Sequence, residues 1–182
     1  MKFDVVIIGG GPAGVTAGLE LQLKGKSCCI VSSGLSLRET RKSEFIAAGG
    51  VFLMGDTVTG GEWSERVLLS VRTGNLGNTL LEARHFILAT GKFFSRGLMA
   101  APDRVYEPVF GSDVEFDPDP QKWCVNDFFA PQPFESFGVR TLEDGRVLFG
   151  GEPADNLYAC GEVLAGSHDI VQSALDICRN II

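Results

Sequence analysis

No two of the five cysteines (Cys28, Cys29, Cys124, Cys160 and Cys178) stand in a C-x-x-C pair. A dithiol redox centre and a thiolate zinc site therefore lack support, and no metal site is expected. Basic charge is scarce as well: the 182-residue chain has a net charge of −7 and a pI near 4.8. Nucleic-acid binding rests on basic patches, so that class is excluded. An apolar run of about 18 residues is also missing, so no transmembrane helix is expected. Met1-Lys2-Phe3 leads directly into an apolar stretch, leaving no room for a signal peptide, and the expected location is cytoplasmic. Internal repeats and low-complexity tracts are absent too.

What is present suits one globular domain spanning residues 1–182, with 45% hydrophobic and 21% charged residues. Asp4-Val-Val-Ile-Ile-Gly9-Gly-Gly11-Pro12-Ala13-Gly14 reads as a buried strand entering a glycine turn that opens a helix. In that pattern Gly9 permits the tight turn, Gly11 lets backbone approach a pyrophosphate, and Gly14 packs the helix on the strand. Pro12 and Ala13 complete the turn, and the free N–H groups and dipole of the helix start favour a diphosphate. Val15, Leu19 and Leu23 then follow at helical spacing before Gly25, and Ser27 to Ser33 is the second strand of a βαβ unit. At the far end, Asn156-Leu-Tyr-Ala-Cys-Gly161-Glu162 is a second apolar strand ending in a turn.

Between these ends, residues 35–48 carry Arg38, Glu39, Arg41, Lys42 and Glu44 beside Phe45 and Ile46, the pattern of a solvated helix. Residues 49–56 read as a third strand. Thr57–Gly60, Glu65–Thr73 and Asn78–Ala83 suggest an antiparallel meander over about residues 57–84. His85-Phe-Ile-Leu-Ala-Thr90-Gly91 is a further apolar strand with a glycine turn. From about 92 to 153 the chain is proline-rich and irregular, and Phe128 to Phe134 places aromatic rings between prolines, equally suited to core packing and to docking on a partner. Strands over 147–150 and 157–160 and a closing helix over 170–182 complete the reading. The expected fold is three-layer α/β, Rossmann-like, with a central parallel sheet and an inserted meander.

The two bracketing motifs, with Ala89-Thr90-Gly91 between them, resemble the FAD/NAD(P)-binding flavoprotein superfamily. A narrower resemblance is carried by Leu88-Ala-Thr-Gly91-Lys-Phe93-Phe-Ser-Arg-Gly97-Leu98, Tyr106-Glu-Pro-Val-Phe-Gly111, Asp127 to Phe134 with Phe137-Gly-Val139, and Leu157 to Gly166. These resemble the B subunit of anaerobic glycerol-3-phosphate dehydrogenase. That resemblance implies a flavin (FAD, with FMN as the alternative) and a dehydrogenase of CH–OH donors or a subunit of one. It also implies dehydrogenase-subunit partners, electrons passed from glycerol 3-phosphate or a partner flavoprotein toward a membrane quinone, and peripheral attachment to the inner membrane through a partner. The chain departs from the family twice. Val31-Ser32-Ser33 stands where such flavoproteins carry an acidic residue on the adenosine ribose, and only about 55 residues separate Ser33 from Ala89, so the substrate-capping material is missing.

Cofactor-binding candidates on that reading are Gly9, Gly11, Pro12, Ala13, Gly14, Thr90, Gly91 and Gly161, with Ser32 or Ser33 at the ribose and the Val58 backbone against an adenine. The resemblance gives Glu162 the ribityl hydroxyls; its other reading is a carboxylate complementing a helix start. A catalytic group is not identified, although His168 and Arg96 are candidates. Arg96 and Lys92 either meet an anion or are solvated loop charges. Two other classes remain: a non-catalytic flavin-fold subunit serving assembly, and an NAD(P)-linked reductase, which is disfavoured because a second G-x-G-x-x-G is missing.

Overall fold

The computed structural model describes residues 1–34 and 39–182. Its centre is a parallel sheet formed by β1 (Lys2–Ile8), β2 (Cys28–Ser32), β3 (Val51–Met54), β6 (Leu81–Leu88) and β12 (Glu152–Ala159), in the order β3-β2-β1-β6-β12. Strand β11 (Arg146–Phe149) closes one edge by pairing antiparallel with β12. The second half of β1, residues 5–8, is an unbroken apolar run because both of its faces are covered there. Val5 and Ile7 enter one core with Ala17 and Leu21 of helix α1 (Pro12–Leu23) and with Ala174 and Ile177 of helix α3 (Ile170–Ile181). Val6 and Ile8 enter a second core with Leu68, Val71, Val147 and Leu157.

The three layers are thus helices, sheet, and a far layer of antiparallel strands and irregular chain. In the helix layer α2 (Glu39–Ala47) buries Phe45 completely. Arg38, read above as part of this charged helix, lies outside the described residues. The far layer begins with β4 (Val58–Ser64) and β5 (Val67–Thr73), which pair antiparallel. It continues with the hairpin β7 (Met99–Ala101) and β8 (Arg104–Tyr106), and the short pair β9 (Val114–Glu115) and β10 (Gly138–Val139).

One expectation is corrected. Asn78–Ala83 and His85–Gly91 are not two strands: a single β6 runs through both. One edge of β6 pairs parallel with β1 along its length (Lys2 opposite Glu82, Ile7 opposite Ile87), while its other edge pairs antiparallel with β5 in the first half (Ser70 opposite Glu82) and parallel with β12 in the second (Tyr158 opposite Ile87). Neither glycine nor proline interrupts residues 81–88, so no break is imposed. His85 therefore lies within a strand instead of opening one. The junction is tied by buried Asn156, whose amide donates to the Leu68 and Arg84 carbonyls at 2.8 and 3.0 Å, while its Oδ1 accepts from Leu68 N–H at 2.8 Å. Sequence reading gave Asn156 no role.

Candidate functional site

All five parallel strands end on one edge of the sheet, where open α/β sheets bind ligands. The loop after β1 is fixed by Gly9 N–H donating to Val31 O at 2.9 Å, and Ala89 N–H donates to Ile8 O at 2.8 Å. Gly9 adopts φ +115°, and a Cβ there would overlap the Ala89 carbonyl. A Cβ on Gly14 would overlap the Gly9 carbonyl, so only glycine lets α1 start this close to β1. Gly11 is different: it caps α1 in an extended conformation, is exposed, and faces open space. Pro12 takes the first helical position and has no N–H to offer, leaving Gly11, Ala13 and Gly14 to supply the donors of the first turn. That turn carries no acidic residue to repel an anion.

The other motifs converge on this turn. The Gly161–Val163 turn follows β12, Gly161 N–H donates to Ser173 Oγ at 3.0 Å, and a Cβ on Gly161 would lie 2.5 Å from the Ala13 Cβ. The Glu162 carboxylate is exposed and reaches toward the Thr90-Gly91 turn, since its Oε2 is 3.8 Å from where a Gly91 Cβ would stand. Among the described residues, this carboxylate accepts no hydrogen bond. The acid that caps helix α3 is Asp169, which accepts from Gln172 N–H at 2.7 Å, so Glu162 does not serve that helix start. Thr90 Oγ1 is buried without a partner, an unsatisfied atom beside the glycine turns that a bound polar ligand would satisfy.

The second strand supplies Ser32, which is buried and donates from its Oγ to Gly34 O at 3.1 Å, and Ser33, which is exposed. A Cβ on Gly10 would lie 2.6 Å from Ser32 Oγ, so this serine stands directly beside the glycine turn. The Ser32 carbonyl accepts from Gly55 and Asp56 N–H, bringing residues 55–58 past the end of β2. Val58 begins β4 opposite Thr73, with its side chain buried in the far core.

The two catalytic candidates are placed apart. His168 Nε2 lies 2.6 Å from Ala165 O, in a cleft lined with Glu115, Arg140 and Thr141 that includes none of the glycine-turn residues. Arg96 is an exposed loop residue at φ +61°. Lys92 departs from a solvated charge: it is half-buried, its ammonium donates to the Glu135 carbonyl, and burial lowers its pKa although the Glu162 and Glu135 carboxylates oppose that shift. Sequence reading gave no sign of this anchoring, which needs the 133–136 turn folded back over the Gly91 loop. The four buried cysteines are inert in character, since burial pushes Cys28, Cys29 and Cys178 up to about 12 and Cys160 higher still. Among the described residues, no cluster of potential ligands for a metal ion occurs, and no helix is long and apolar enough to cross a membrane.

These residues fit a flavin dinucleotide: an open Gly11 at a helix start, an unsatisfied Thr90 hydroxyl, and an unspent carboxylate share one sheet edge. A family model described as "FAD binding domain" matches residues 4–64 and 37–174, which names FAD, not FMN. The B subunit of anaerobic glycerol-3-phosphate dehydrogenase from Vibrio vulnificus (strain CMCP6) is 40% identical over 144 residues, covering 78% of this chain and 33% of the relative. The B subunit of the same dehydrogenase from Pectobacterium atrosepticum is 40% identical over 139 residues, covering 76% of this chain and 33% of the relative. The chain thus spans about a third of the length of the curated relatives it matches. Among solved structures, an oxidoreductase from Agrobacterium tumefaciens aligns at TM-score 0.62 and 14% identity over 99% of this chain and 96% of that one. A thioredoxin reductase from Gloeobacter violaceus aligns at 0.60 and 15% over 99% and 93%; both likenesses concern the fold alone.

Proposed function

Because this chain belongs to the family of FAD-binding domains, we propose that it is the flavin-carrying part of a dehydrogenase system, in the manner of the B subunit of anaerobic glycerol-3-phosphate dehydrogenase. In this reading it takes electrons from glycerol 3-phosphate or from a partner flavoprotein and passes them toward a membrane quinone. The observation that carries it is the meeting of three turns at one sheet edge: Gly9–Gly14, Thr90-Gly91 and Gly161-Glu162.

FAD, when bound, supplies the hydride and electron chemistry, and the protein supplies binding and orientation. The N–H groups of Gly11, Ala13 and Gly14 hold the diphosphate, aided by the α1 dipole. Thr90 Oγ1 and the Glu162 carboxylate hold the polyhydroxyl side of the cofactor. Ser32 or Ser33 would meet the ribose by hydroxyl contact where a carboxylate is usual, and the Val58 backbone would stand against the adenine. No residue of the edge is assigned as a catalytic base.

The test is spectroscopic. The purified chain is expected to show flavin absorbance after reconstitution, and the released chromophore is expected to be FAD. Glycerol 3-phosphate alone is expected not to bleach it, because only about a third of the relatives' length is present to enclose a substrate. A chain that stays colourless after incubation with FAD and with FMN sinks the flavin reading. A second reading, a flavin-fold assembly subunit, is favoured by one observation. Phe128 and Phe129 are 85% and 93% exposed, whereas Phe134 and Phe137 of the same segment pack inward, so the outer pair is offered for docking on a partner dehydrogenase.

A further inference from the structure

His168 lines a cleft of about 320 Å³ that the flavin reading leaves unused. The floor of this cleft is apolar, formed by the buried side chains of Val139, Leu148 and Leu164. Its frame is a set of backbone ladders. Arg140 N–H donates to Asp113 O at 2.8 Å, and Leu148 N–H donates to Arg140 O at 3.0 Å. Thr141 bridges to Val147, Val139 bridges to Leu164, and Ala165 N–H donates to Val139 O at 3.2 Å. The polar side chains of the rim therefore stand on fixed backbone.

Those side chains are unspent. Among the described residues, the Arg140 guanidinium makes no ion pair or hydrogen bond, whereas Arg66, Arg72, Arg146 and Arg179 each hold a carboxylate. It stays unpaired in a chain with 23 acidic residues against 16 basic ones, and with Glu115 lining the same cleft. The Thr141 hydroxyl and the Glu115 carboxylate likewise have no partner among the described residues. His168 Nε2 lies 2.6 Å from Ala165 O. A carbonyl oxygen only accepts, so Nε2 carries the hydrogen and Nδ1 is left with a lone pair.

We propose that this cleft binds a small hydroxylated organic anion. The Arg140 fork and the Thr141 hydroxyl donate to its oxyanion, a carboxylate or a phosphate monoester. Glu115 and His168 Nδ1 accept from its hydroxyls, and the apolar floor takes its carbon chain. Both halves are needed: an anion without hydroxyls leaves Glu115 facing it uncompensated, and a neutral polyol leaves the guanidinium unpaired. The volume lies at the lower end of the range of ligand sites, about 300–1,000 Å³, which suits a short chain. The cleft contains none of Gly9–Gly14, Thr90, Gly91 or Glu162, so its occupancy is independent of the flavin reading.

The test is calorimetric titration of the full chain with glycerate, a hydroxylated carboxylate, and with glycerol 2-phosphate, a hydroxylated phosphate monoester. Binding of either is expected, and which of the two binds identifies the oxyanion. Propionate and ethyl phosphate, which lack free hydroxyls, are expected to bind at least about tenfold more weakly than their hydroxylated counterparts. Arg140→Gln is expected to weaken binding about tenfold and Thr141→Val about threefold. The Arg140 side chain is exposed, so the melting temperature of Arg140→Gln should stay within about 1 °C of wild type. Thr141→Val supplies a second reading should Arg140→Gln impair folding. Binding of neither probe at about 10 mM, affinity unchanged in both variants, or equal affinity for the hydroxyl-free counterparts overturns the proposal.

Discussion

Two glutamates in this chain follow opposite courses. Glu107 is 1% exposed, and its carboxylate accepts N–H groups from Val109 at 2.6 Å, Phe110 at 2.9 Å and Gly111 at 3.1 Å, with Ser112 at 3.5 Å. Both of its oxygens are engaged by its own turn, which carries Phe110 onto Trp63. Glu162 is the exposed residue of a turn whose Gly161 and Val163 are buried and which Ser173 pins from behind, and its oxygens are left open among the described residues. A carboxylate that has spent its lone pairs holds the chain together. One kept unspent on a fixed turn is free for a ligand.

The sharpest break of this contrast is Glu107→Ala. It strands several buried N–H groups, each costing about 1–3 kcal/mol, and should lower stability by about 3 kcal/mol or more in denaturant titrations. A loss under about 1 kcal/mol would mean that the turn is held by something else. Glu162→Ala should do the reverse: FAD affinity falls about tenfold while the melting temperature of the flavin-free chain stays within about 1 °C. Equal damage to stability would erase the distinction between the two residues.

A third effect is smaller and runs with pH. Burial raises the Glu107 pKa above the ordinary 4.5, outweighing the four N–H donors that lower it. The folded chain therefore keeps a proton that the unfolded chain has released. Stability contributed by this group is greatest below pH 4.5 and declines as pH rises through the raised value. Glu107→Gln should flatten the decline in a series of denaturant midpoints, and an unchanged slope would assign it to other groups. Smallest of all, Phe128→Ser should shift stability by less than about 0.5 kcal/mol, since the ring is almost wholly exposed, while weakening co-purification with partner dehydrogenase subunits.

The glycine turn was legible in the sequence because its constraints are local: Gly9 and Gly14 are demanded by backbone atoms within the same strand–turn–helix unit or the adjoining strand. The β1 strand was legible for a similar reason, as its stretch covered on both faces, residues 5–8, is apolar throughout. Glu107 stood within a motif quoted for its resemblance, yet its role stayed hidden. A glutamate ahead of Pro-Val-Phe-Gly-Ser is a turn signal only once burial makes the turn's N–H groups need it. Lys92 and Asn156 were less legible still, since their partners Glu135, Leu68 and Arg84 are 43, 88 and 72 residues away. The split of Phe128–Phe129 outward from Phe134 inward left no pattern in a proline-rich stretch without periodicity.

Strand β6 ties the meander to the cofactor edge. One of its edges lies on β1 throughout, and the other passes from the meander strand β5 to the sheet strand β12, with buried Asn156 clamping the junction. The meander is thus no separate flap: β5 is hydrogen-bonded to the same strand that leads into Thr90 and Gly91. At the other border the Gly91 loop meets the proline-rich segment through side chains alone, the Lys92 ammonium on the Glu135 carbonyl and Phe93 against Phe134.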